Sequence, residues 1–270
     1  MHRSKIEGVL VIFQKLFDAV RAKLLSKKLG TEVRVVRYNY QGEPIQEQEL
    51  KKLLDNIISP RVSELGLRRR GDYLWIGDSI NGIRNIVEYG RFTRGGNRGY
   101  ISWGVALDFV MIPKGNKLVS NRTEQSAIIH IGEWSEGYAK SFLGEEMVDG
   151  TGVASHYEQV AEKTITAAIE GELDNISSFF EKAKNLEGII QIANEQITNP
   201  KSPIYNMKFP SPEYILAFIY AKLGKIDLAN EYLKKDDFVS DSKNQVVLDL
   251  IEQKLTQLSS SHVFQVDEVE

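Results

Sequence analysis

The stretch that most constrains this chain is residues 62–112, and within it the run from Ile101 to Phe109. Ile101, Trp103, Val105, Leu107 and Phe109 occupy every second position, with Ser102, Gly104, Ala106 and Asp108 between them. A period of two is the mark of a strand with one large apolar face. The smaller opposite face suits either solvent or a closely packed helix. Upstream, Leu65-Gly66-Leu67 has a helix-stop pattern, Gly66 being able to take the left-handed conformation. Residues 72–76 and 83–92 read as two further strands, with Asn81-Gly82 a strong turn signal between them. Thr93 to Gly99 is a looser connection. Pro113-Lys114-Gly115-Asn116 ends the last of the three strands, and residues 127–131 give one more.

Helices flank this region. Ser4 and Glu7 have capping-box spacing, and apolar residues from Ile6 to Leu25 predict one long amphipathic helix stopped at Leu29-Gly30. Residues 33–38 are β-branched and predict a short strand. From about Gln46, the residues Leu50, Leu53, Leu54, Ile57 and Ile58 share one helical face. Pro60 is expected to kink that helix, or to open a new one capped by Ser59. Residues 133–143 suggest a short helix, and 144–152 a polar connection.

After that connection the pattern is wholly helical: 157–169, 173–183 and 186–197, with breaks at Gly171 and near Glu187-Gly188. A linker at 199–203 follows. Ser211-Pro212-Glu213 has good helix-start chemistry. Leu216, Ala217, Tyr220, Gly224 and Ala229 have the offsets of a tetratricopeptide-type hairpin near 211–235. Gly171, Phe180 and Ala183 echo part of it 53 residues earlier, an interval unlike the repeat period of about 34. A last helix is expected over 243–258 and a mobile acidic tail over 259–270.

The fold class predicted is therefore α+β: an antiparallel sheet with flanking helices, followed by an all-α helical-hairpin domain. The division expected is a basic α/β domain at 1–148, an acidic helical domain at 149–258, and the tail. Charge supports the division. Residues 1–140 hold 23 Lys+Arg against 15 Asp+Glu; residues 141–270 hold 11 against 22, and every Arg precedes residue 123. Such asymmetry suggests units with different surfaces, or a contact between them. With no cysteine anywhere, disulfides, thiol nucleophiles and Cys-ligated zinc are excluded. The apolar run at Val9–Phe13 is interrupted by polar residues, lacks a cleavage site, and falls far short of the roughly 20 residues of a membrane span. A cytoplasmic, membrane-free protein is the expectation.

The stretch from Leu50 to Pro113 resembles a bacterial family, the domain-of-unknown-function 4304 family. The features that carry the resemblance are Leu65-Gly66-Leu67-Arg68-Arg69-Arg70-Gly71, then Tyr73 and Trp75, then Asn85-Ile86-Val87, then Ile101 to Pro113. Leu67 stands where the family more often has an aromatic residue, and the long helical extension is a further departure. The resemblance implies no activity and carries over no catalytic residue.

Candidate functional residues follow from chemistry. Residues 61–98 contain eight arginines against four acids. Arg68, Arg69, Arg70, Arg91, Arg94 and Arg98 are expected to share one end of the sheet, where guanidinium forks suit phosphate, with Trp75, Trp103 and Tyr100 placed to stack on bases. The competing reading is a solvated rim paired with acids of the second half. Arg94-Gly95-Gly96-Asn97-Arg98-Gly99 lacks the strand-loop-helix context and Lys-Ser/Thr of a phosphate loop, and reads as a hairpin tip. A metal-dependent hydrolase would use Asp108, His130 and Glu133, with Glu136 as a further acid, but no metal-ligand spacing or Glu-x-Lys pair occurs. No metal and no cofactor is expected. In the helical half, Tyr214, Phe218, Tyr220 and Tyr232 are core residues or the lining of a partner groove. These features predict a non-catalytic interaction protein of immunity, defence or regulatory type that binds a protein partner. Nucleic-acid binding is the alternative, and a metal-dependent hydrolase ranks below it.

Overall fold

The computed structural model describes residues 45–91, 98–121, 123–135, 154–155, 158–198 and 210–266. The helix expected at the N-terminus, the strand over 33–38, the connection at 144–152 and the linker at 199–203 lie outside these residues.

Helix α1 (Glu47–Ser63) forms where the apolar spacing predicts, burying Leu50, Leu54, Ile57, Ile58 and Val62. Glu47 and Glu49 stand in its first turn and Arg61 in its last, each sign matched to the dipole. Pro60 neither ends α1 nor opens a second helix. It lies in the last turn, where burial of Ile57, Ile58 and Val62 outweighs one missing backbone hydrogen bond. Ser59 caps nothing; its hydroxyl donates to Asp55 Oδ1 at 2.5 Å.

The chain reverses at Gly66, whose φ of 76° is the left-handed conformation the sequence predicts. Then follow β1 (Arg68–Arg69), β2 (Leu74–Ile76), β3 (Ile83–Arg91) and β4 (Arg98–Leu107). Asn81 and Gly82 take φ values of 54° and 79°, the two positive angles of a tight hairpin turn, closed by an Ile80–Ile83 bridge. Asp108 and Phe109 form a turn, and β5 (Met111–Lys114) pairs with β6 (Lys117–Ser120) as a separate hairpin about Gly115-Asn116. The segment expected simply to end a strand thus builds a second small sheet.

The last strands are β7 (Ile131–Trp134) and β8 (Ala154–Ser155). The main sheet runs β1-β2-β3-β4-β7, with β8 also on β4, and every pairing is antiparallel. The strand expected over 127–131 therefore begins only at Ile131, and residues 133–134, expected to open a helix, belong to it.

Alternation divides the sheet into two faces. Trp75, Val87, Tyr89, Ile101, Trp103, Val105 and Leu107 bury themselves against α1 and against helix α2 (Glu158–Lys182). The second face carries Ile76, Ile86 and Ala106 in a smaller core closed by Ala127 and Ile129. What covers it is neither solvent nor a helix but an irregular segment. Gly104 and Gly132 face each other across β4 and β7, and a Cβ on either would stand within 2.7 Å of Ile129 Cγ2. The missing side chains let Ile129 lie directly on the sheet.

Helix α2 passes through Gly171 without a break. A mid-helix glycine costs only about 1 kcal/mol relative to alanine, and Ile165, Ala168, Ile169 and Ile176 are fully buried on either side. Helix α3 (Leu186–Thr198) begins before Gly188, where a Cβ would stand 1.7 Å from Lys182 O. Helix α4 (Pro212–Lys222) starts as predicted: Ser211 Oγ accepts from Tyr214 N at 3.0 Å and Pro212 occupies the first turn. Gly224, with φ 73°, links it to α5 (Ile226–Lys235), and the two pack as a helical hairpin. The short α6 (Asp237–Asp241) and the long α7 (Gln245–Val266) follow, α7 continuing past the helix end expected at Leu258. One hydrophobic cluster runs from α1 and the sheet through α2, α3, α4 and α7. The α+β class is as the sequence predicts. Among the described residues no helix is long and apolar enough to cross a membrane.

Candidate functional site

The arginine triplet follows the outermost turn of α1 and enters β1, so strand alternation separates its members. Arg68 pairs in register with Ile76 and Arg69 with Trp75, which lie on opposite faces. Arg69 therefore turns to α1, where it pairs with Asp55 Oδ2 at 2.7 Å and donates to Lys51 O at 3.2 Å. Arg68 and Arg70 turn to the second face. There both bind Glu124, Arg68 through Nη2 and Arg70 through Nε, and Arg68 also reaches Asp78 at 2.7 Å. The hydrogen bond from Arg68 is the first cause holding the Glu124 and Asp78 carboxyls below their ordinary range. Arg84, buried at the same end of β3, adds its charge to both acids and donates to Gly77 O at 3.3 Å.

Register gives the spacing of the triplet along the sheet: Arg70 N donates to Leu74 O, and Leu74 is in register with Glu88, three residues before Arg91 on β3, or roughly 10 Å. Arg84, in register with Ala106, lies at the other end of the same strand pair. The acids that the triplet meets, Asp55, Asp78 and Glu124, all precede residue 140, and among the described residues Arg61, bonded to Glu170 at 2.5 Å, reaches across to the second half. The side chains of Arg91 and Arg98, and the whole of Arg94, lie outside the described residues.

Trp75 and Trp103, expected to stack on bases, are 0% and 1% exposed. They sit at in-register positions on the helix-covered face, Trp75 donating through Nε1 to Ser59 Oγ at 2.8 Å. Tyr100, the third ring expected there, is half-exposed, as is Trp134, and the two stand edge to face at 6.1 Å. Register places both on the second face, beside Ser102 and Glu88. Burial, then the Glu88 charge, raises the Tyr100 phenol above its ordinary value. Trp134 was hidden in sequence because residues 133–143 read as a helix, which obscures which side chains share a sheet face.

The hydrolase constellation does not assemble. His130 is buried and its Nδ1 accepts from Leu107 N at 2.7 Å, while Asp108 accepts from Ser79 Oγ at 2.5 Å at the end of β4. Glu133 is in register with Trp103, five residues back from Asp108, or roughly 15 Å along an extended chain. Among the described residues no three His, Asp or Glu side chains are grouped to hold a metal. Glu136 lies outside them.

The four aromatics of the helical half divide. Tyr214 and Phe218 are fully buried, rings 5.1 Å apart, and Tyr214 donates to Met111 O at 2.7 Å, fastening α4 to β5. They are core, because α4 buries Tyr214 to Ile219 without interruption between α3, α5 and α7. Tyr220 and Tyr232 remain half-buried, stacked at 5.3 Å, with Tyr232 donating to Asn194 Oδ1 on α3 at 3.2 Å. Among the described residues, the large apolar side chains exposed in this half are Phe238 on α6, 42% exposed, and Val246 in the first turn of α7, 54% exposed. Helix α6 buries none of its own residues. Periodicity could not single them out, since both fall in short or terminal segments. Comparison of the chain with protein-family models, with curated proteins and with solved structures found no match.

Proposed function

We propose that this is a non-catalytic protein that docks a protein partner through its helical half, at the junction of α6 and α7. The carrying observation is that Phe238 and Val246 stand out to solvent on consecutive helices joined by Ser242-Lys243-Asn244. Exposed apolar side chains scattered singly are ordinary, but two on adjoining elements, one of them a helix that meets the core only through the partly buried Val239, mark a contact point. The hairpin of α4 and α5 behind it is a rigid support, its core closed by Leu216, Ala217 and Ala229. The test is affinity isolation with the full chain and with Phe238→Asp and Val246→Asp. A partner retained by the first and released by both variants supports the reading.

A second reading is nucleic-acid binding through the second face of the sheet. The favouring observation is that Arg68, Arg70, Tyr100 and Trp134 all lie on that one face, half-exposed. Guanidinium for phosphate and aromatic rings for bases are the two elements such binding requires. Salt-sensitive binding of a short oligonucleotide, weakened by Arg70→Ala and by Trp134→Ala, is its test.

A further inference from the structure

We propose that Arg68 and Arg70 form a phosphate-binding fork and that Glu124 is its built-in competing ligand. The inference rests on the same arginines as the nucleic-acid reading, but not on a polymer being the ligand. The two side chains leave the same face of an extended segment two residues apart, roughly 6.5 Å. Arg70 is held there by its backbone N–H, which donates to Leu74 O at 2.7 Å. One Glu124 oxygen binds each guanidinium, so the carboxylate spans the fork as two oxygens of a phosphate would. The donors are fixed on a sheet edge, whereas Glu124 is carried on the short turn Thr123–Ser126. That turn is closed by its own hydrogen bonds, Ser126 N to Thr123 O at 3.0 Å among them. The fork is thus the stationary part and the carboxylate the part that can leave.

Charge points to the same ligand. Among the described residues, the groups that act on one another here are Arg68, Arg70, Arg84, Asp78 and Glu124, three cations against two anions. Withdrawing Glu124 turns both of its guanidinium donors over to an incoming anion. The fork is reachable, its two arginine side chains being 40% and 46% exposed.

The test is calorimetric titration of the full chain with inorganic phosphate, for wild type, Glu124→Ala, Glu124→Gln, and Glu124→Ala combined with Arg70→Ala. Glu124→Ala should bind phosphate roughly tenfold or more tightly than wild type, about 1.4 kcal/mol, and the added Arg70→Ala should abolish the gain. Glu124→Gln, which keeps the shape of the turn, should show a smaller gain in the same direction and serves if the alanine variant does not fold. Unchanged phosphate affinity in folded Glu124 variants overturns the proposal, as does a gain that survives Arg70→Ala. A parallel titration with a short single-stranded oligonucleotide separates the sources. Gain with phosphate and not with the oligonucleotide assigns the fork to a free phosphate group, gain with both extends it to polymer phosphates, and gain with the oligonucleotide alone overturns the proposal. Phosphate binding with no oligonucleotide binding to any form removes the nucleic-acid reading and leaves the fork.

Discussion

Trp75 donates its indole N–H to Ser59 Oγ at 2.8 Å, across the seam between the sheet and α1. The same hydroxyl donates to Asp55, which in turn pairs with Arg69, so four residues form one chain from a buried ring to the surface. Ser59→Ala leaves a fully buried N–H without an acceptor, a loss of about 1–3 kcal/mol. The midpoint of urea unfolding, with an unchanged slope, measures it.

Acid should destabilise the fold through Asp55 of this chain and through Asp78 and Glu124 beside Arg68. The carboxyls of Asp55, Asp78 and Glu124 all lie below their ordinary values, Asp55 first through the Ser59 hydrogen bond and the other two first through Arg68. A carboxyl whose folded value is depressed contributes stability that is present above its unfolded value and lost as pH falls through the folded one. The unfolded values are 3.8 for the aspartates and 4.5 for Glu124, so the loss begins as pH falls through about 4.5 and deepens below 3.8. Thermal melts from pH 6 to pH 3 should show that fall, and it should shrink in Arg68→Ala.

Gly104→Ala tests the second core. The new Cβ would meet Ile131 O at 2.2 Å and Ile129 Cγ2 at 2.6 Å, with a backbone atom as one obstacle. Overpacking of this kind costs about 1–3 kcal/mol. Stability equal to wild type would show that Ile129 does not lie on the strand.

Tyr214→Phe removes the hydroxyl that fastens α4 to Met111 O and leaves that carbonyl without its donor. The expected loss is about 1 kcal/mol, whereas Tyr214→Ala, which also opens a cavity, should cost about 3–5 kcal/mol. A chemical-denaturation series of the two variants separates the hydrogen bond from the packing.

The elements legible in the sequence are those fixed by local chemistry. The apolar face of α1, the Asn81-Gly82 turn, the alternation of β4 and the Ser211-Pro212 start of α4 each follow from residues within one or two turns of chain. What sequence could not supply was register. Only pairing across β1 to β4 shows that Arg68 and Arg70 face one way and Arg69 the other, or that Trp75 and Trp103 share the covered face. Gly171 breaks no helix, and Pro60 opens no new one, because their intrinsic cost is outweighed by tertiary burial of their neighbours. The hairpin of β5 and β6 was hidden because Pro113, a strand breaker in most contexts, sits in a two-stranded sheet that tolerates it. The candidate site was legible as composition, arginine with aromatics, but its membership only in part: Tyr100 is half-exposed, Trp75 and Trp103 are buried, and Trp134 is the half-exposed ring that the sequence did not single out.

The most direct test of the partner-docking reading is affinity isolation from the cells that encode the protein, using wild type beside Phe238→Asp and Val246→Asp. Thermal melts of all three separate loss of docking from loss of the fold. A partner that co-purifies with wild type in defined ratio and is lost from both variants is the predicted result. The same proteins recovered with all three, or none with any, would contradict docking at the α6–α7 junction.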